Sequence, residues 1–151
     1  MTRPGAILRS IDVAVDPQTA FDAFTAEIGL WYRSLPFAWN DPARAVGIRF
    51  EPRVGGRWLE VWDEATGEGY EIGRILAWEP GARLVTTYRN IYLPPEPLTE
   101  IEVRFDAIGK GTRVSLEHRG WDRLPLEVFT TWSGRAWLAL FHAYQDYLAT
   151  R

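Results

Sequence analysis

The chain of 151 residues has no cysteine, which excludes disulfide bonds, thiolate catalysis and cysteine-ligated zinc. It has two histidines, His118 and His142, and His142 belongs to the polar side of a predicted helix, so they do not form a cluster of metal ligands. No serine stands in a nucleophile elbow, and the glycine pairs mark hairpin turns rather than phosphate loops, because no helix follows them. We therefore expect no metal and no other cofactor, and we assign no catalytic residue.

Positive charge is sparse and scattered along the chain. The formal net charge is -3, and Lys110 is the only lysine among widely spaced arginines. A nucleic-acid partner would require a clustered cationic surface, so none is expected. The longest apolar run, Ala136–Phe141, is far shorter than a membrane span, and the segment 1–10 lacks the apolar core of a signal peptide. These features predict a cytoplasmic protein with no segment inserted in a membrane.

Alternation of apolar and polar residues dominates the first two thirds of the sequence. The length fits one domain, 1–151, that can bury a substantial core. The content of 46% hydrophobic and 14% aromatic residues supplies the side chains for that core. The period of two predicts strands at Ile7–Val15, Val46–Phe50, Arg57–Trp62, Tyr70–Trp78, Arg83–Tyr88, Ile101–Asp106 and Arg113–Glu117. Short turns between successive strands predict an antiparallel meander whose polar alternates face solvent on the convex side.

Helical patterns flank these strands at both ends. Asp16 and Pro17 form a helix start, the apolar spacing runs to Ile28, and Gly29 is expected to end that helix before a second short one at Trp31. At the other end, Pro125 to Leu148 reads as one long amphipathic helix. Its apolar face is loaded with aromatic rings, and it needs a large concave surface, which only the predicted sheet can offer.

Several local strings, in this order and spacing, resemble the AHSA-type branch of the START-like (SRPBCC) superfamily. The strings are Asp16–Pro17, Ala20–Thr25, Trp31–Tyr32, Pro52–Trp58, Ile75–Pro80, Arg83–Val85, Gly111–His118, Gly120–Trp121 and Trp137. The resemblance implies an α+β helix-grip fold, in which a seven-stranded antiparallel sheet wraps around a long C-terminal helix and two short helices follow the first strand. Members of the superfamily include lipid carriers, hydrophobic-ligand sensors, polyketide cyclases and co-chaperone domains, so the fold does not determine the function.

A cavity between the sheet and the last helix is the expected site. Small residues (Thr130, Ser133, Gly134 and Ala136) occupy the first half of that helix, whereas bulky ones fill the second half. The void should therefore lie beside the first half, under two segments that look expanded relative to the family, Arg33–Pro42 and Arg89–Pro97. We expect His118, Trp121, Tyr88 and Ser133 on its wall.

Two polar residues are candidates for chemistry in that cavity. His118 continues the inward face of its strand and could orient a ligand or act as an acid or base; the alternative is a histidine satisfied by neighbouring elements. Glu60 alternates with Trp58 and Trp62, so it faces the cavity if these rings do and solvent if Leu59 and Val61 point inward. The sequence leaves that choice open.

Aromatic rings complete the predicted site. Seven aromatic side chains offer flat surfaces with a polar edge, which suits aromatic or polycyclic ligands. They are Trp31, Tyr32, Trp62, Tyr88, Trp121, Trp132 and Trp137. For Trp137, ordinary core packing is the stronger alternative.

Three functions follow from these patterns. The first is non-enzymatic binding of a hydrophobic or aromatic small molecule, as a carrier or sensor. The second is an enzyme of the polyketide-cyclase or hydratase kind that uses His118 and Glu60 as acid–base residues. The third, implied by the resemblance alone, is an interaction module that stimulates a chaperone ATPase; a homodimer is a further open alternative.

Overall fold

The computed structural model describes residues 6–35, 37–131 and 135–151, with the backbone alone at 130 and 131. The predicted fold class is confirmed: the protein is α+β, with a seven-stranded antiparallel sheet and a C-terminal helix in its concave face. The strands are β1 (Ile7–Val13), β2 (Gly47–Phe50), β3 (Arg57–Asp63), β4 (Glu68–Glu79), β5 (Arg83–Tyr88), β6 (Thr99–Ile108) and β7 (Gly111–Arg119). The helices are α1 (Pro17–Thr25), α2 (Ile28–Trp31), α3 (Leu126–Thr131) and α4 (Arg135–Thr150).

The strands lie in the order β1-β7-β6-β5-β4-β3-β2. Hairpins connect β2 through β7 as a meander, and β1 pairs with β7, where Ile7 lies opposite His118. β1 and β2 therefore form opposite ends of the sheet, and the chain between them, including α1 and α2, crosses the concave face.

The sheet bends where its register shifts. β3 and β4 change register beside Trp58, and β4 and β5 change register between Ile75 and Ala77. Such irregularities add an unpaired residue and increase the local bend of a strand. Gly73 lies in this region because a Cβ there would stand 1.9 Å from the carbonyl oxygen of Thr87.

The first helices differ from the prediction in one respect. Asp16 caps α1 as expected, but α1 ends at Thr25, and Gly29 lies inside α2 instead of ending the first helix. The reason is packing against β2: a Cβ on Gly29 would stand 3.3 Å from the carbonyl oxygen of Ile48. The glycine permits a close approach of helix to strand.

The C-terminal helical segment buries its aromatic face against the sheet and α1. α3 and α4 cover most of the predicted span, and residues 132–134 lie outside the described part. Tyr144 is fully buried, packs edge-on against Phe24, and donates a hydrogen bond of 2.6 Å to the carbonyl oxygen of Ala20. This contact ties α4 to α1 across the core.

The convex face corrects one detail of the predicted pattern. Glu102 lies on this face, as the alternation requires, but it is buried rather than exposed. Arg83, Arg104 and Arg119 surround its carboxylate at 2.7, 2.6 and 2.7 Å. Burial alone would raise the pKa of Glu102, yet the hydrogen bonds from Arg119 and Arg83 hold this pKa below its ordinary value. The alternation of the strand predicted the face on which Glu102 lies, but it did not predict that arginines would surround and bury its carboxylate.

Candidate ligand-binding pocket

A pocket of about 360 Å³ lies at one end of the space between the sheet and α4. It is covered by residues 37–41 and 90–93, which we call the mouth loops. The wall comprises Tyr32, Phe37, Ala38, Trp39, Asn40, Ile72, Tyr88, Asn90, Tyr92, Arg135, Ala136 and Ala139. The pocket thus lies beside the beginning of α4 and under both segments that looked expanded in the sequence.

Aromatic rings form much of this wall and continue beneath it. The ring centroids of Tyr32 and Trp39 are 6.2 Å apart and tilted by 54°. Trp58 lies deeper, 6.3 Å from Tyr32 and 5.8 Å from Tyr88. The pocket has flat apolar surfaces in different orientations, which is the lining expected of a site for a ring-containing ligand.

Glu60 holds one mouth loop from below. It is 0% exposed, and it shares a face of β3 with Trp58 and Trp62, which answers the question that the sequence left open. Oε1 accepts hydrogen bonds from the backbone N–H and the side-chain amide of Asn40, at 2.6 and 3.1 Å. Oε2 accepts from the backbone N–H of Asp41 and from the Trp62 indole, both at 2.9 Å. Four N–H groups therefore compensate the burial of this carboxylate.

The two mouth loops are also bonded to each other. Asn40 Oδ1 accepts a hydrogen bond of 3.0 Å from the backbone N–H of Ile91. Within the second loop, Asn90 accepts from the N–H of Tyr92 at 2.8 Å and donates to the Tyr88 hydroxyl at 3.0 Å. Glu60 is thereby linked through Asn40 to both loops that cover the pocket.

His118 lies in a second network, which meets the pocket wall at Tyr88. It is 0% exposed, and its Nδ1 accepts a hydrogen bond of 2.9 Å from the Trp137 indole N–H. Since an indole nitrogen only donates, Nδ1 is unprotonated, and Nε2 carries the hydrogen that it donates to Thr99 Oγ1 at 2.7 Å. The Thr99 hydroxyl in turn donates to the carbonyl oxygen of Tyr88. Burial lowers the pKa of His118 to about 3, so the ring is neutral.

The structure separates the predicted site residues into groups. Glu60 and Trp62 lie together under a mouth loop, with Arg44 stacked 4.7 Å from the Trp62 ring. Tyr88 reaches the pocket wall and contacts His118, whose ring centroid is 5.1 Å away.

Trp121 and Trp137 pack around His118 and do not belong to the described pocket wall. The centroid of Trp121 is 4.5 Å from that of His118, and its indole donates to the His118 carbonyl oxygen. Trp31 is part of the core, where its indole donates to the carbonyl oxygen of Ala23. Trp132 and Ser133 lie outside the described residues, so their predicted roles stay predictions.

Several wall residues were not among the predicted site residues. Trp39 and Asn40 lie in a proline-flanked loop without periodicity, where only the unusual length of the segment pointed to function. Arg135 was not predicted for the site either, and the structure puts it at the pocket wall.

The interior beyond the pocket is filled. The void among Phe24, Trp58, Trp137 and their neighbours measures about 10 Å³ and has apolar walls. That volume is at the lower limit for a single water molecule. Among the described residues, the indole nitrogen of Trp58 is the one buried side-chain polar atom without a hydrogen-bond partner. Between the sheet and α4, the space for a ligand is therefore at the mouth.

Residues 6–35, 37–131 and 135–151 contain neither a metal-binding cluster nor a helix that could span a membrane. In this part of the chain, histidine, aspartate and glutamate side chains do not come together in a group that could hold a metal ion. Its helices are too short or too polar to cross a membrane.

Comparison with known proteins identifies the family. The family model described as "Activator of Hsp90 ATPase homolog 1-like protein" matches residues 14–143. The chain belongs to this family. A search of curated protein sequences finds no match.

Solved structures of other proteins share the fold over nearly the whole chain. A protein of Nitrosomonas europaea matches with a TM-score of 0.70 at 16% identity, covering 99% of this chain and 97% of that one. The Aha1 dimer of Colwellia psychrerythraea matches with a TM-score of 0.67 at 19% identity, over 98% and 96%. The self-sacrificing resistance protein CalC of Micromonospora echinospora matches with a TM-score of 0.68 at 26% identity, over 96% and 94%.

Proposed function

We propose that this family member binds a small hydrophobic or aromatic molecule, without transforming it, in the pocket under the mouth loops. The observation that carries the proposal is the pocket itself: about 360 Å³, walled by aromatic side chains and covered by bonded loops. Ligand pockets typically have volumes of about 300–1,000 Å³ and few polar groups, so this one fits a small ligand.

Binding is favoured over acid–base catalysis by the state of the two titratable candidates. Both ring nitrogens of His118 are engaged, and its pKa of about 3 leaves it a poor base near neutral pH. Glu60 directs its oxygens at four N–H groups that hold a loop. The polar atoms of both groups are hydrogen-bonded within the protein, so neither group needs a substrate as a partner. The role as a chaperone ATPase activator has the family description as its support, and no residue-level feature adds to it.

Blocking the pocket tests the proposal. Ala139 lines the pocket, whereas its neighbour Leu138 is 45% exposed and is not part of the wall. Ala139→Phe should reduce the affinity for β-naphthol at least tenfold, and Leu138→Phe should leave it unchanged; isothermal titration calorimetry gives both values. The proposal is wrong if the unmodified protein binds none of β-naphthol, β-naphthoate and a hydroxylated β-naphthoate, or if Ala139→Phe binds them as well as Leu138→Phe does.

Native mass spectrometry of the purified protein adds an independent test. A co-purified small molecule should be displaced by β-naphthol, and it should be absent from the Ala139→Phe variant.

A further inference from the structure

Tyr32 places a hydroxyl group on the pocket wall. Its side chain is 5% exposed and lines the pocket, and within the described residues the hydroxyl has no hydrogen-bond partner. Burial above all, and then the nearby Tyr88 and Glu60, raise the pKa of Tyr32 well above its ordinary value. The hydroxyl therefore keeps its proton and can donate. Because the hydroxyl has no protein partner among the described residues and its side chain lines the pocket, a ligand oxygen can accept its proton in place of solvent.

The charge near Tyr32 limits what that ligand oxygen can be. Glu60 is hydrogen-bonded to Asn40, which lines the same pocket as Tyr32, and it contributes to the raised pKa of Tyr32. A carboxylate bound at Tyr32 would be repelled by a negative Glu60. The fitting acceptor is a neutral oxygen, a hydroxyl or a carbonyl.

At another part of the wall, Arg135 favours a negatively charged ligand group. It lines the pocket at the start of α4, it is exposed, and it forms no ion pair with a carboxylate of the described residues. A guanidinium group binds carboxylates through two parallel N–H donors. An anionic group at the mouth would meet this cation and still contact solvent.

We propose that the ligand is a small aromatic carboxylic acid whose ring system also carries a neutral oxygen. Its rings pack between the aromatic walls, its hydroxyl or carbonyl oxygen accepts from Tyr32, and its carboxylate binds Arg135. This assignment of ligand class rests on the proposed function, because it names what the same pocket selects.

Three naphthalene probes separate the two contacts. They are β-naphthol, β-naphthoate, and a β-naphthoate that carries a hydroxyl at the opposite end of the ring system. The third probe should bind most tightly, because it alone satisfies both Tyr32 and Arg135. Tyr32→Phe should weaken the two hydroxylated probes about threefold to tenfold and leave β-naphthoate unchanged. Arg135→Gln should weaken both carboxylates by a similar factor and leave β-naphthol unchanged.

Control variants keep these results interpretable. Arg33→Gln removes an exposed guanidinium that is not part of the pocket wall, and it should change none of the three affinities. Tyr32→Phe should keep the urea midpoint of the unmodified protein, because the lost hydroxyl has no partner.

The outcomes distinguish an error in the ligand class from an error in the proposed binding function. If the probes bind and Ala139→Phe blocks them, but Tyr32→Phe and Arg135→Gln act equally on all three or on none, the ligand class is wrong and the pocket stands. If no probe binds the unmodified protein, the proposed function itself fails.

Discussion

The space between sheet and helix has a closed end and an open end, which meet at Tyr88; they are built from similar residues but differ in how they are closed. At the closed end, Thr99, His118, Trp121 and Trp137 come from strands and from the helical segments, and the void beside Trp137 in the core is about 10 Å³. At the open end, the mouth loops supply much of the wall, and about 360 Å³ is left. Aromatic rings and a buried titratable group occur at both ends. The difference is whether regular elements or loops bring the partners together.

This difference explains why a buried polar group is weak evidence for a binding site. His118 is satisfied by partners whose positions are set by the sheet and by α4, so its network fixes packing. Glu60 is satisfied mainly by Asn40 and Asp41, which lie in a loop, so its network fixes the shape of a cover. By contrast, the Tyr32 hydroxyl at the open end has no hydrogen-bond partner among the described residues and is available to a ligand.

The largest effect is expected from opening the closed end. Trp137→Ala should lower the free energy of unfolding by about 3–5 kcal/mol, because it leaves a large hole and removes the donor to His118. Trp39→Ala, at the half-buried pocket wall, should cost much less stability while weakening β-naphthol binding. Urea denaturation of both variants checks the contrast. Equal losses of stability would mean that the side chains of the open end contribute as much to core packing as those of the closed end.

Acid should act on the closed end through His118. Its pKa is about 3 in the folded protein and about 6.5 in the unfolded chain, so the unfolded state binds the proton first as the pH falls. The stability that depends on a neutral His118 is fully present above pH ~6.5. As the pH falls towards ~3, the free energy of unfolding decreases by about 1.4 kcal/mol per pH unit. Between pH ~6.5 and ~5, the protein should lose about 2 kcal/mol, and His118→Gln should flatten this slope. Denaturation curves at several pH values measure it, and identical slopes for both proteins would contradict the prediction.

A smaller effect is expected from loosening the open end. Glu60→Gln replaces one acceptor with an NH₂ group that faces N–H donors, so it should cost about 1–2 kcal/mol of stability. Hydrogen exchange at the backbone amides of Asn40, Asp41 and Ile91 should accelerate, while that of β7 should not change. Glu64→Gln, on an exposed carboxylate, is the control. Unchanged exchange in the mouth loops would mean that Glu60 does not hold them.

The smallest effects belong to the convex face, outside both ends. Arg113→Ala and Glu117→Ala should each change stability by less than about 1 kcal/mol, since both side chains are substantially exposed. Glu102→Ala should cost more, because it removes the shared partner of Arg83, Arg104 and Arg119. Its contribution requires the ionised carboxylate, so it is present above the ordinary pKa and is lost in acid. Thermal denaturation of the three variants, at neutral and acidic pH, tests the ranking.

The sequence predicted the closed end and the sheet better than the open end. Period-two alternation placed His118 inward and Glu102 outward because each strand face repeats every second residue. Alternation carries no information on partners far along the chain, such as Trp137 for His118 or the arginines around Glu102. The face of β3 stayed undecided because both of its sides are apolar.

The pocket wall was predicted only in outline. The two long loops and the small residues of the last helix indicated where space would remain, and the pocket lies there. Trp39, Asn40 and Arg135 could not be assigned, since loop residues follow no period and the rim of a pocket depends on how loops meet.

The pairing of the first strand with the last has a consequence for the order of folding. β1 joins β7 through pairs such as Asp12 and Arg113, which are 101 residues apart, and the bond from Tyr144 to Ala20 spans 124 residues. Such contacts give the chain a high contact order, which slows folding. During synthesis, β1 and α1 leave the ribosome long before their partners exist, whereas the meander from β2 to β7 can pair as it emerges. We expect the nascent chain to hold its N-terminal segment undocked until α4 is complete, and to expose apolar surface throughout that interval.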